Sequence, residues 1–202
     1  MTTAKEVCSH VLRWYRKANR HQRRHGLQWY KNAHKFCRVL GESTGYSTET
    51  VAGILAALSP QLAWGDNLLG CLSLVKTEVI PANLNIYPAN IDKAHRILAG
   101  ESPLAVLGGH KVRAFYCNVL KPIHSRQVTI DTHTARVAFN TLELPPQWVF
   151  TPKGNRILQQ GYRLAARRRR MLPLRLQAIV WLVMRERLLR KPKFEQLGLY
   201  VK

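Results

Sequence analysis

Apolar residues recur at three- and four-residue intervals along nearly the whole chain, and runs that alternate polar with apolar positions are scarce. That period belongs to amphipathic helices rather than half-buried strands, so the pattern predicts an all-α fold. Helices are expected over residues 3–20, 26–40, 48–58, 66–76, 90–99, 103–107, 110–120, 131–141, 153–171 and 174–190. Ser47 (followed by Glu49 and Thr50), Asn90 and Asp131 each stand where a helix start calls for a side-chain acceptor. Pro81, Pro88, Pro103, Pro122, Pro145, Pro146 and Pro173 punctuate the breaks. No internal repeat or low-complexity linker interrupts the pattern, and 202 residues suffice for a sizeable core, so the chain reads as a single globular unit.

Charge changes the picture more than length does. Lysine and arginine total 32 against 11 acidic residues, a formal net charge of +21 spread over the whole chain. The expected partner is a polyanion, bound through phosphate neutralisation and counterion release. A ribosomal-type RNA binder or a binder of anionic membrane surfaces would share that signature. The most apolar run, residues 178–184, is too short to span a bilayer. No secretory h-region follows Lys5 and Glu6, so an intracellular protein is expected. Cys8, Cys37, Cys71 and Cys117 are scattered without a CxxC pair. They read as free, mostly buried thiols, with no zinc or iron–sulfur cofactor.

The chemistry is concentrated in residues 105–139. A short helix meets Gly108 and Gly109, and a second helix starts at once, a helix-hairpin-helix pattern. The glycines would let backbone amides approach a phosphate, although two glycines before a helix also make an ordinary turn. Lys111 falls in the first turn of the second helix, where the dipole disfavours a cation unless an anion comes close. It could equally be a surface phosphate contact. Asp131, one of three aspartates, follows the apolar-leaning run Val128, Thr129 and Ile130 and should be partly buried. On spacing alone it caps the helix that follows.

The run L-G-G-H-K-V, followed by D-T-H-T-A-R-V with Asp131 twenty residues past Lys111, resembles the active-site signature of the helix-hairpin-helix DNA glycosylase superfamily, which includes endonuclease III and the oxoguanine glycosylases. The stretch I-L-A-A-L-S-P-Q at 54–61 is similar to a helix of that family ending in L-S-x-Q, and L-Q-A-I-V-W-L-V-M-R at 176–185 is similar to its closing helix. Together these cover residues 50–185. Leu107 replaces the first hairpin glycine of the family, and no cysteine cluster occurs in 194–202 after the last helix.

The resemblance implies two helical lobes with an active-site cleft between them. One lobe would comprise 46–130, with the hairpin at 103–120, and the other 1–45 plus 131–202. It also implies a monomeric enzyme on double-stranded DNA, without cofactor, that flips a damaged or modified base and cleaves its glycosidic bond. Lys111 would be the Schiff-base nucleophile, its amine neutralised by burial and by arginines such as Arg113. Asp131 would stabilise the charge developing on the sugar. Gln61 would fill the gap left in the duplex, and Gly108, Gly109, His110, Arg113, His133 and Arg136 would contact DNA. Trp64, Phe115, Tyr116, His133 and Trp148 are stacking candidates that also suit a core. Arginines 167–170 suit a solvated surface facing DNA, or a nuclear address. A same-fold enzyme processing modified bases in viral DNA, and a non-catalytic nucleic-acid-binding module, remain open.

Overall fold

The computed structural model describes residues 2–189, so residue 190 of the last expected helix and the segment 194–202 lie outside the described residues. The described residues are helical, without strands. In chain order the helices are α1 (Ala4–Lys17), α2 (Arg20–Thr44), α3 (Thr48–Leu58), α4 (Trp64–Thr77), α5 (Pro88–Leu98), α6 (Pro103–Val106), α7 (His110–Leu120), α8 (Thr132–Phe139), α9 (Pro152–Arg168) and α10 (Pro173–Leu189). A 3-10 turn, Gln147–Phe150, precedes α9. None of the described helices is long and apolar enough to cross a membrane. The described chain forms two compact units, residues 2–33 with 117–189 and residues 34–116, whose boundaries fall within α2 and α7.

In the first unit α1 is fixed at its start by a capping box. The Thr3 side chain accepts from the Glu6 amide, and the Glu6 carboxylate accepts from the Thr3 amide at 2.8 Å. Its buried stripe of Val7, Cys8, Val11, Trp14 and Tyr15 follows the 3.6 period and packs on α8, α9 and α10. Helix α9 comes so close that a Cβ on Gly161 would stand 2.3 Å from Val7. Val128, Ile130, Val137, Leu158, Tyr162, Leu176, Ile179 and Met184 complete this core.

The second unit is built around α3. Every residue from Val51 through Leu58 is buried, so this helix is apolar on all sides and is covered by α4, α5 and α6. Gly53 permits the contact with α6, since a Cβ there would meet the Pro103 ring at 2.7 Å.

The sequence placed ten helices, and their centres hold. Differences lie at the ends. Helix α2 begins six residues earlier than the apolar pattern suggested, because Asn19 and Gln22 cap it reciprocally, each side-chain oxygen accepting from the other's amide. Asn90 is not a cap: Tyr87 precedes the helix and Pro88 supplies its first turn, its fixed φ suiting that position. Ser47 and Asp131 do cap α3 and α8, accepting from Thr50 and Thr134.

Candidate functional site

In the first unit, the segment 125–131 lacks regular secondary structure, so its backbone polar groups need side-chain partners. Helix α9 provides them. Gln159 accepts from the Val128 amide at 3.0 Å and donates to the Val128 carbonyl at 2.7 Å, while Arg163 donates to the Arg126 carbonyl at 3.1 Å. The segment delivers Asp131 to the start of α8, half-buried.

Each oxygen of the Asp131 carboxylate has one donor. Oδ1 accepts from the Thr134 amide at 2.7 Å, and Oδ2 accepts from the Trp181 indole N–H at 2.7 Å. An ionised carboxylate has roughly four acceptor sites, so its orientation is fixed while capacity remains toward solvent. Aromatic rings adjoin this indole. His133 meets Trp181 edge to face at 5.8 Å between centroids, Trp29 lies at 6.5 Å, and the Arg185 guanidinium stands 5.3 Å above the Trp181 ring. Arg136, on the same helix as His133, donates to the Glu143 carbonyl at 3.0 Å and lies 3.5 Å from the His133 ring nitrogen.

A buried polar network supports this arrangement. Tyr30 donates to Gln177 at 2.9 Å and shares a hydrogen bond with the Thr129 hydroxyl at 2.9 Å. Asn118 donates to Thr129, Gln177 donates to the Thr134 hydroxyl, and Tyr162 donates to the Thr134 carbonyl. Burial raises the phenols of Tyr30 and Tyr162 well above their ordinary range, and the negative charge of Asp131 raises them further. Both therefore stay protonated and act as fixed donors around α8.

The remaining expected site residues belong to the second unit. Leu107, Gly108 and Gly109 join α6 to α7, and Gly109 has φ of +69°, which explains the glycine there. Gly108, Gly109 and His110 are exposed, with open space where a Cβ on either glycine would point. Lys111 is half-buried in the first turn of α7. The Arg113 guanidinium donates to the Leu107 carbonyl at 2.7 Å and to the Leu104 carbonyl at 3.1 Å, so it braces the hairpin by satisfying carbonyls at the end of α6. Gln61 is exposed, has φ of +60°, and accepts from the Tyr87 hydroxyl at 2.8 Å. The other non-glycine residues at positive φ, Glu78, Asn140 and Arg170, stand at or next to helix C-caps; Gln61 stands in the loop two residues past one.

The structure thus gathers Asp131, His133 and Arg136 within one unit, and the hairpin residues with Lys111, Arg113 and Gln61 within the other. Of the stacking candidates, Phe115 and Tyr116 are buried, Trp64 meets Phe115 edge to face, and Trp148 packs on Phe139 while remaining 37 % exposed. Among the described residues no three His, Cys, Asp or Glu side chains form a group fit to hold a metal ion.

A family model described as a family of unknown function, DUF7178, matches residues 1–188. The chain belongs to that family. No curated protein and no solved structure matches it. Trp181, Trp29, Tyr30 and Gln177 were not singled out from sequence as site residues. The signal available was that Gln177 and Trp181 fall inside the stretch resembling a glycosylase closing helix.

Proposed function

We propose that the chain is a DNA glycosylase with abasic-site lyase activity, in which Asp131 and Lys111 act on a nucleotide extruded from duplex DNA. The observation that carries this reading is the Asp131 carboxylate, held at a helix start by a backbone amide and an indole N–H, half-buried, with acceptor capacity left over and aromatic rings close by. A negative charge fixed in this way meets no reorganisation penalty when positive charge develops on a sugar.

In the reaction proposed, the C1′–N bond breaks and its electron pair leaves with the base, which takes up a proton. The lone pair of neutral Lys111 forms a bond to C1′, and the proton shed by that nitrogen passes to Asp131. Ring opening gives a Schiff base, and loss of the C2′ proton then expels the 3′ phosphate by β-elimination. The strained loop at Gln61 suits a residue that enters the duplex, and a net charge of +21 suits a phosphate ligand.

Borohydride reduction in the presence of abasic duplex should trap a covalent complex that Lys111→Ala abolishes. Base release should stop in Asp131→Asn. If release persists in Lys111→Gln yet stops in Asp131→Asn, the nucleophile is water and only the lyase step falls.

A second reading is favoured by the engagement of both Asp131 oxygens: a nucleic-acid-binding module in which the carboxylate is a helix cap alone. It requires DNA retention without adduct or base release in the unmodified protein.

A further inference from the structure

Three helix ends converge on Tyr15, which is only 7 % exposed. The guanidinium of Arg23, from the first turns of α2, stands 4.9 Å above its ring, and that of Arg169, the C-cap of α9, stands 4.6 Å above the same ring. One residue away on α1, the Lys17 ammonium lies 4.3 Å over Trp14. Around this core of stacked cations, Arg16, Lys17, Arg20, Arg24, Arg167, Arg168, Arg169 and Arg170 are exposed.

Among the described residues one carboxylate touches these helix ends, that of Glu186 on α10, which accepts from the Gln22 side chain, and it forms no ion pair with the surrounding arginines. The ion pairs of the described residues, Arg38–Glu42 and Arg96–Glu101, both lie in the other compact unit. Helix dipoles account for part of the arrangement, because α1 and α9 both end here and a helix C-terminus attracts cations. They do not account for α2, which begins here with Arg20, Arg23 and Arg24 and no acid in its first turn. Its cap is the neutral Asn19–Gln22 pair, whereas α1 uses the acidic Glu6 in the same geometry. Against Arg20, Arg23 and Arg24 this helix start has a single carboxylate contact, Glu186 at Gln22, so positive charge is in excess there, which suits an anion.

The exposed large apolar side chains, among them Leu142, Leu144, Trp148 and Phe150, lie elsewhere in the sequence, on none of the three helix ends. The surface thus has charge without the apolar side chains that insert into a bilayer. A guanidinium placed over an aromatic ring, as at Arg169, keeps the donors of its exposed edge for phosphate oxygens.

We propose that the helix ends around Tyr15 form a binding surface for the phosphate backbone of duplex DNA, additional to the residues assigned to base release. The choice of duplex DNA rests on the proposed glycosylase function. The surface supplies sequence-independent affinity and holds the enzyme on the duplex.

The test measures binding of the full chain to an unmodified duplex oligonucleotide by fluorescence anisotropy, between about 50 and about 200 mM salt. Replacing Arg167, Arg168, Arg169 and Arg170 together by glutamine should weaken binding at least roughly tenfold at the lower salt. It should also make the plot of log K against log salt shallower by about 3.6, since each of four phosphate contacts contributes about 0.9. Replacement by lysine should restore the slope, which counts charges on phosphates and not guanidinium geometry. Unchanged affinity and slope in the glutamine variant would overturn the proposal, as would failure of lysine to restore the slope. So would a loss confined to binding of phosphatidylserine vesicles or of single-stranded RNA. The two readings fail separately: salt-dependent duplex binding without base release sinks the glycosylase, whereas base release with the glutamine variant's affinity intact sinks this surface.

Discussion

Removing the indole donor from Asp131 tests whether the carboxylate is held as the geometry implies. Trp181→Phe deletes the N–H that lies 2.7 Å from Oδ2 and leaves an aromatic ring in a half-buried position. A hydrogen bond to a charged acceptor contributes about 1.5–3 kcal/mol, and partial exposure reduces this to about 1–2 kcal/mol here. Asp131→Ala removes the same bond and also the α8 cap at Thr134, itself about 1 kcal/mol, for a total of about 2–3 kcal/mol. At about 2–4 °C per kcal/mol for a chain of this size, its Tm should fall by about 4–12 °C. The two singles and the double variant, unfolded in urea with m unchanged, form a double-mutant cycle. Ring truncation and cap loss cancel from it, leaving a coupling of about 1–2 kcal/mol for the indole–carboxylate bond. A coupling below about 0.5 kcal/mol, the usual limit of additivity, would refute the view that Trp181 fixes Asp131. If Trp181 positions a working carboxylate, Trp181→Phe should also slow single-turnover base release at saturating DNA while leaving duplex affinity unchanged.

Gly26→Ala should destabilise the protein by about 3 kcal/mol or more in urea titrations, because its Cβ would stand 2.6 Å from the backbone of Ile179, which cannot swing aside. Tyr30→Phe should cost about 1–2 kcal/mol, because the oxygen of Gln177 loses its Tyr30 donor in a buried site. Burial pushes the Cys37 thiol up to about 12 from an ordinary 9.0, and raises Cys71 well above it. The folded state therefore holds these protons where the unfolded chain releases them. Stability from this source is complete below pH 9 and declines from pH 9 toward 12, which alkaline urea titrations of Cys37→Ala against the parent should show. The same two thiols should resist alkylation at pH 8 in the native protein and react on unfolding.

The helices were legible because burial of one face imposes its period on the sequence, as the stripe Val7, Cys8, Val11, Trp14 and Tyr15 illustrates. Their ends were less legible where capping was neutral or supplied by proline, as at Asn19 and Pro88. The short turn at 147–150 left no periodic trace. Asp131 was readable as a cap because its partner Thr134 is three residues away. Its second partner was not, since Trp181 lies fifty residues along the chain and no local pattern encodes that contact. The same holds for Tyr30 and Gln177, brought together across 147 positions, and for the pairing of Arg23 with Arg169 on Tyr15. The bracing role of Arg113 was equally hidden: residue type and hairpin position suggested DNA contact or tuning of Lys111, and gave no sign that two of its donors also hold the Leu107 and Leu104 carbonyls.

The grip of α9 on residues 126 and 128 has a consequence for how this protein can vary. An amide and a guanidinium, one helical turn apart, take the place a neighbouring strand would fill, saturating alternate peptide groups of the chain that leads into Asp131. The location of that carboxylate is thereby delegated to two rotamers on another helix. Substitutions at Gln159 or Arg163 would relocate Asp131 without approaching it.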